Sequence, residues 1–321
     1  MMSKRSLFLL IIAMGVFKSY GWARDKPDIK FVSNPKIVGN EKMDTYFNNL
    51  STEEIKKIDG LSTLSNTFYQ EAQKEHRKRY KENVLIFTEQ EENIIRSTIT
   101  DFQTIFISSF SVLSDFKWRF VKVKDVVLFA EAHTLDGYIF LTTSSLSLSQ
   151  TDPNRFKYIL IEEAIHILQR QHPKFFEPIY YDWGFQKVDK IEGLESLPIM
   201  HNPDCEQCLW VYRDTGTFIY TTVLYDENKM VFFNLEETSS GTICVKDNPT
   251  ELSSSSAPIY CNKFLGIDGK FDPNEVYANL FAQIFIMDNY KFYYGDRDCY
   301  NSEIYKQYRE FFKNQLSAKI Q

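Results

Sequence analysis

Residues 159–172 read I-L-I-E-E-A-I-H-I-L-Q-R-Q-H, and this stretch decides how the middle of the chain folds. Ahead of it, Thr151-Asp-Pro-Asn154 has the residue types that begin a helix. Behind it, Pro173 ends helical geometry, because the residue before a proline avoids helical backbone angles. The sequence therefore predicts a helix from about residue 154 to residue 171.

Two side chains of this predicted helix are spaced for joint chemistry. Glu162 and His166 lie four positions apart, so they project from one face about one turn from each other. Side chains placed in this way can bind one metal ion between them. Glu163 would lie beside the pair, where a carboxylate can act as a general base.

Composition bounds the remaining possibilities. The chain has 321 residues, is 43% hydrophobic and 16% aromatic, and carries a formal charge of −6. It is therefore long and apolar enough to bury a core, and its charge does not favour nucleic acid as a partner.

The N-terminus has the pattern of a secretory signal peptide. Lys4 and Arg5 precede an apolar run of 11 residues from Leu7 to Phe17, and Gly21 and Ala23 are small residues placed for cleavage after Ala23. The run is too short to span a bilayer, and no other stretch reaches about 20 apolar residues. We therefore expect an exported protein, secreted or periplasmic, with one domain over 24–321 and no stable membrane span after signal removal.

Periodicity predicts an α+β fold, in which a helical frame surrounds a small antiparallel sheet. Alternating and β-branched residues predict strands at 117–131 and 137–143, and short β runs predict an inserted meander at about 209–262. The helical stretches, besides 154–171, are 51–82, 88–110, 273–289 and 302–319.

The chain around the motif resembles the gluzincin type of H-E-x-x-H zinc metallopeptidase. G-Y-I-F-L-T-T at 137–143 precedes the helix, N-P-D follows at 202–204, and D-P-N-E-V-Y-A-N-L-F-A-Q at 272–283 resembles the family's second helix. The resemblance implies a zincin-like domain that binds zinc through His166 and Glu275, with Glu163 as the catalytic base. It also implies that Tyr138 and Phe140 lie on an edge strand that pairs with a peptide substrate.

The chain departs from this family at position 162, where Glu162 replaces the first ligand histidine. Glutamate can bind zinc, but a ligand set rich in oxygen favours harder ions such as Mn²⁺ or Ca²⁺. His133 and His201 are the histidines that could substitute as ligands. A protein that binds no metal is also consistent with the substitution.

Each motif also has an ordinary structural interpretation. Asp272-Pro-Asn-Glu275 has the form of a capping box, so Glu275 could simply cap its helix. Three functions therefore remain open: an active metallopeptidase, a pseudoenzyme that binds a protein or peptide through the former cleft or the aromatic meander, and an unrelated secreted binding module.

Cysteine usage agrees with export. The chain has five cysteines, of which four are disulfide candidates. Cys244 and Cys261 each end an extended segment, and Cys205 and Cys208 are close enough in sequence for a local bond.

Overall fold

A five-stranded mixed sheet forms the first part of the fold. The structure is a computed structural model, and it describes residues 27–39, 46–59, 69–109, 116–194, 197–204, 209–214, 217–224, 229–252, 264, 272–292 and 303–317. The strands are β1 (Asp28–Val32), β2 (Val84–Leu85), β3 (Lys117–Val123), β4 (His133–Leu135) and β5 (Tyr138–Thr142). They are ordered β1-β3-β5-β4, with β2 paired to β3. The neighbours β1, β3 and β5 are parallel, whereas β4 is antiparallel to β5.

Eight helices have described bounds. They are α1 (Thr52–Asp59), α2 (Tyr69–Glu82), α3 (Glu89–Ser109), α4 (Thr143–Thr151), α5 (Pro153–Gln171), α6 (Pro173–Asp182), α7 (Pro273–Tyr290) and α8 (Glu303–Ser317). The helices predicted at 88–110, 154–171, 273–289 and 302–319 are confirmed to within a few residues. The predicted signal peptide lies outside the described residues.

Helix starts follow the capping chemistry of the sequence. The Asp152 carboxylate accepts a hydrogen bond from the Arg155 N–H at 3.1 Å, which begins α5. At α3, Thr88 and Glu91 form the reciprocal capping box. At α7, Asp272 accepts from the N–H groups of Asn274 and Glu275 at 2.7 and 3.3 Å.

One predicted strand is shorter than expected. The run at 117–131 leaves the sheet after Val123, and Leu128–Ala130 forms a 3-10 turn. Leu128 and Ala130 have φ values of 44° and 66°, which are incompatible with a strand.

The prediction of one small antiparallel sheet is wrong. A second sheet contains seven strands: β6 (Phe185–Val188), β7 (Ile191–Glu192), β8 (Leu209–Asp214), β9 (Thr217–Leu224), β10 (Lys229–Glu237), β11 (Ile243–Val245) and β12 (Thr250–Glu251). It begins at residue 185 rather than 209, because β6 pairs with β8. It is also mixed, because β7 runs parallel to β11.

The helix α7 lies at the centre of the main core. Every residue from Pro273 to Met287 is buried, as expected for a helix that packs on all its faces. Its aromatic side chains pack on neighbouring elements: Tyr277 stacks on Trp183, which follows α6, and meets Phe312 of α8 edge to face. Its neighbour along much of its length is α5. None of the helices in the described part of the chain has the length and apolar content to cross a bilayer.

Candidate metal centre

The packing of α5 against α7 brings Glu162, His166 and Glu275 together. One potential ligand atom from each residue lies within 4.8 Å of the other two. His166 Nε2 is 3.6 Å from Glu275 Oε1. Two ligands of a tetrahedral ion with bonds of about 2.1 Å would be separated by about 3.4 Å, so this spacing fits an ion between them.

The tautomer of His166 is determined by Gln169. The Gln169 Nε2 amide donates to the carbonyl of Asn274 at 2.9 Å, so its Oε1 faces His166 Nδ1 as an acceptor at 3.0 Å. The Nδ1 atom therefore carries the proton, and the lone pair of Nε2 points toward Glu275. Burial also lowers the pKa of His166, which favours the neutral imidazole that binds metals.

Both carboxylate members of the cluster accept a hydrogen bond from an asparagine. Asn279 Nδ2 donates to Glu162 Oε1 at 2.6 Å, and Asn202 Nδ2 donates to Glu275 Oε1 at 2.6 Å. Only half of the predicted capping box at Asp272 is therefore used: Asp272 caps α7, while the Glu275 side chain contacts His166 and Asn202. Burial, followed by the Asp272 carboxylate, raises the pKa of Glu275 well above its ordinary value.

Glu163, next to Glu162 on α5, is a buried carboxylate with an unsatisfied oxygen beside the cluster. It is 4% exposed, and within the described residues its Oε2 atom has no hydrogen-bond partner. Burial, followed by the carboxylates of Asp204 and Glu162, raises its pKa well above the ordinary value. An unsatisfied buried oxygen costs about 1–3 kcal/mol, and a bound water or ion would relieve that cost.

Arg170 connects the end of the motif helix to the segment at 201–204. Its guanidinium donates to the carbonyls of Asp136 and Asp204 at 3.2 and 3.1 Å and to the Thr134 hydroxyl. The Asp204 carboxylate in turn accepts the Thr134 backbone N–H at 2.8 Å. This network holds the segment 201–204, which includes Asn202, against β4.

Neither proposed substitute histidine joins the cluster. His133 is buried on β4, where it stacks on Phe140 and hydrogen-bonds to the Tyr80 hydroxyl and to the Glu131 carbonyl. His201 Nδ1 lies 2.9 Å from Glu54 Oε2, and its side chain is 45% exposed.

The prediction that Tyr138 and Phe140 lie on an edge strand is wrong. They belong to β5, which lies between β3 and β4. The cause is the two-residue connection Asp136-Gly137, in which Asp136 has a φ of 54°, because such an Asp-Gly turn folds β4 back as a hairpin strand. The edge strand is therefore β4, and its three residues are buried.

The cysteine predictions are largely outside the described residues. Cys205, Cys208 and Cys261 lie there, so the local Cys205–Cys208 bond stays a prediction. Cys244 is a free thiol whose Sγ is 3.6 Å from Glu192 Oε2 on the neighbouring parallel strand. The predicted Cys244–Cys261 pairing involves Cys261 and so also falls outside the described residues.

Sequence reasoning missed the amides that surround the cluster. Gln169, Asn202 and Asn279 each bond one of its three members. A signal for Asn279 was present, since it follows Glu275 by four positions and so shares its helix face.

Comparison with known proteins gives no relative for the chain. No protein-family model, curated protein or solved structure matches it. Its function has to be inferred from the chemistry of the site, which combines a neutral imidazole, two carboxylates and an unsatisfied third carboxylate.

Proposed function

We propose that the protein is an exported metal-dependent hydrolase that acts on peptides. In this proposal Glu162, His166 and Glu275 bind one divalent ion, with zinc as the first candidate, and Glu163 is the general base. The observation that carries the proposal is the meeting of three potential ligand atoms within 4.8 Å, from helices whose ligand residues lie 109 positions apart. The resemblance of the motif to gluzincins supports the same assignment.

The donor set fits a divalent ion. His166 presents a lone pair toward Glu275 at 3.6 Å, and two acceptor atoms facing each other are stabilised by a cation or a proton between them. A bound divalent ion would supply Lewis acidity and lower the pKa of a coordinated water.

Glu163 has the properties required of the base. Its raised pKa brings a carboxylate closer to the range in which it can both take a proton and return it. The atom Oε2 has no competing partner in the described part of the chain, so it can accept the proton of an attacking water and donate it to the leaving amine. Burial of the site excludes bulk water from these transfers.

One observation favours a second candidate, a pseudoenzyme that binds its partner without cleaving it. The edge strand β4 is buried, and the N–H of Thr134 is already bonded to Asp204. A peptide that adds to this edge at Thr134 would have to displace the Asp204 carboxylate. Binding elsewhere, including on the aromatic strands β8–β10, would leave this contact intact.

Metal content and hydrolysis together test the proposal. We expect the full-length protein, purified without added metal, to contain one divalent ion per chain by mass spectrometry. Glu163→Gln should retain the ion and lower cleavage of a mixed peptide library by about 10²–10⁴-fold, the usual contribution of a general base. Glu177→Gln is a matched control on the next helix, where the residue pairs with Lys187 at 2.8 Å.

Two results would contradict the proposal. A protein that binds no divalent ion, even when it is added, has no metal centre. A protein that binds the ion but cleaves no peptide supports the pseudoenzyme instead.

A further inference from the structure

Tyr158 and Asn279 form a hydrogen-bonded relay that ends at the Glu162 carboxylate. The Tyr158 hydroxyl donates to Asn279 Oδ1 at 2.5 Å, and Asn279 Nδ2 donates to Glu162 Oε1 at 2.6 Å. Tyr158 and Glu162 lie on successive turns of α5, and Asn279 lies one turn beyond Glu275 on α7. The relay therefore crosses the same helix interface as the candidate ligands.

Glu162 and Tyr158 together orient the Asn279 amide. Because the Glu162 carboxylate can only accept, the NH₂ group faces it, and Oδ1 then accepts the Tyr158 hydroxyl. Asn279 is 3% exposed and Tyr158 is 7% exposed. Water therefore cannot easily replace either partner, and breaking the relay would leave buried polar atoms unsatisfied.

In the orientation that the structure shows, the relay is complementary to a carboxylate. A metal-binding histidine donates its second ring N–H, so it needs an acceptor behind it. A metal-binding glutamate carries only acceptors and needs a donor, which Asn279 provides. The departure of position 162 from the H-E-x-x-H pattern is thus accompanied by a fitting partner.

We infer that Asn279, oriented by Tyr158, is a positioning residue for Glu162, and that the centre is built for a Glu/His/Glu ligand set. The site is therefore not a histidine centre that has lost a ligand. The inference rests on the proposed metal binding, although it does not depend on hydrolysis.

The same arrangement bears on which ion is preferred. The cluster offers an imidazole nitrogen, from His166, beside the carboxylates of Glu162 and Glu275. Ca²⁺ takes about 6–8 oxygen ligands and often uses bidentate carboxylates, whereas Zn²⁺ needs about four ligands. We expect Zn²⁺ to bind in preference to Ca²⁺.

Zinc affinity of full-length variants tests the relay. We expect Asn279→Leu, which removes the donor without adding charge, to weaken Zn²⁺ binding by about 10–100-fold in competition with a chelating dye. Tyr158→Phe should weaken it less, because the amide is still present but loses one of the two groups that orient it. Asn289→Leu is the matched control, since Asn289 lies on the same helix and donates to the carbonyl of Phe285 at 2.8 Å.

A second experiment exchanges the hydrogen-bonding groups at positions 162 and 279. In Glu162→His the new imidazole would face the amide N–H, or a neutral amide oxygen if Asn279 turns over, so zinc should bind less tightly than with a carboxylate behind the imidazole. Adding Asn279→Asp supplies the acceptor, and we expect Glu162→His/Asn279→Asp to bind zinc at least 10-fold more tightly than Glu162→His. Thermal melting in chelator establishes that each variant is folded before its affinity is compared.

The outcomes separate this inference from the proposed function. Unchanged zinc affinity in Asn279→Leu, or equal affinity in Glu162→His with and without Asn279→Asp, overturns the inference and leaves the hydrolase intact. Zinc binding with the expected variant effects but no peptide cleavage removes only the hydrolase. A wild-type protein that binds no zinc overturns both.

Discussion

Within the residues that the structure describes, two buried histidine–carboxylate pairs differ in how closely the two side chains approach each other. His76 Nδ1 lies 3.0 Å from Asp59 Oδ2, whereas His166 Nε2 lies 3.6 Å from Glu275 Oε1. The first pair joins α2 to α1, and the second joins α5 to α7. Both histidines are 2% exposed, so burial alone does not distinguish the pairs.

The surroundings explain the difference. Asp59 is also 3.8 Å from the Arg79 guanidinium, which balances its charge, and its hydrogen bond to His76 closes the pair. Glu275 instead lies near Asp272, Asp204 and Glu162, whose negative charges all raise its pKa. Asp59 thus has a cationic neighbour that balances its charge, whereas Glu275 lies among acidic groups whose charge the proposed cation would offset.

The largest expected effect is on zinc affinity, which should depend on His166 and not on His76. His166→Ala should weaken zinc binding by more than about 100-fold, since even outer partners of a ligand contribute about 10–100-fold. His76→Ala should leave the affinity unchanged, because His76 is bonded to Asp59. Competition with a chelating dye measures both. Equal losses of zinc affinity in the two variants would contradict this difference between the two histidines.

Substitutions of Asp59 and Glu275 should change the stability of the metal-free protein in opposite directions. Asp59→Ala should destabilise the metal-free protein by about 1–3 kcal/mol, because it leaves the buried His76 without its partner. Glu275→Gln should instead stabilise the metal-free protein by about 1 kcal/mol, because it removes a buried carboxylate near three other acids and keeps an oxygen that can accept the Asn202 N–H. Urea unfolding in chelator at pH 8 measures both, and a loss of stability in Glu275→Gln would argue against an unbalanced site.

The smallest expected effect is on the pH dependence of stability, to which a third buried histidine, His133, contributes. Burial lowers the pKa of His133 to about 4, below its ordinary value of about 6.5, so the folded protein holds this ring neutral. Its contribution to stability is complete above pH 6.5 and is lost as the pH falls toward 4, amounting to about 1 kcal/mol between pH 7 and pH 5.5. Urea unfolding in chelator should show this loss, and His133→Gln should reduce it. An identical pH dependence in the variant would contradict the assignment.

Local chemistry made the helices predictable. Asp152, Thr88 and Asp272 each sit where a capping side chain begins a helix, and each does so in the structure. The facing of Glu162 and His166 also follows from helical spacing alone. These features depend on neighbours within one or two turns, which a single sequence contains.

Features that depend on distant partners were not predictable in the same way. Asn202 bonds Glu275 across 73 positions, and Tyr158 bonds Asn279 across 121. The edge strand β4 has three residues, too few for an alternating pattern to be recognised. The extent of the second sheet was missed because β6 and β7 are also short and pair with strands that come much later in the chain.

The central helix α7 has a consequence for the timing of folding. During synthesis, the segment that carries Glu162 and His166 emerges more than 100 residues before Glu275. Contacts between segments so far apart form late, because a long loop must close before they are gained. Under the proposed metal binding, the nascent chain would therefore lack a complete site until α7 has been made, and ion capture would be one of the last steps in maturation.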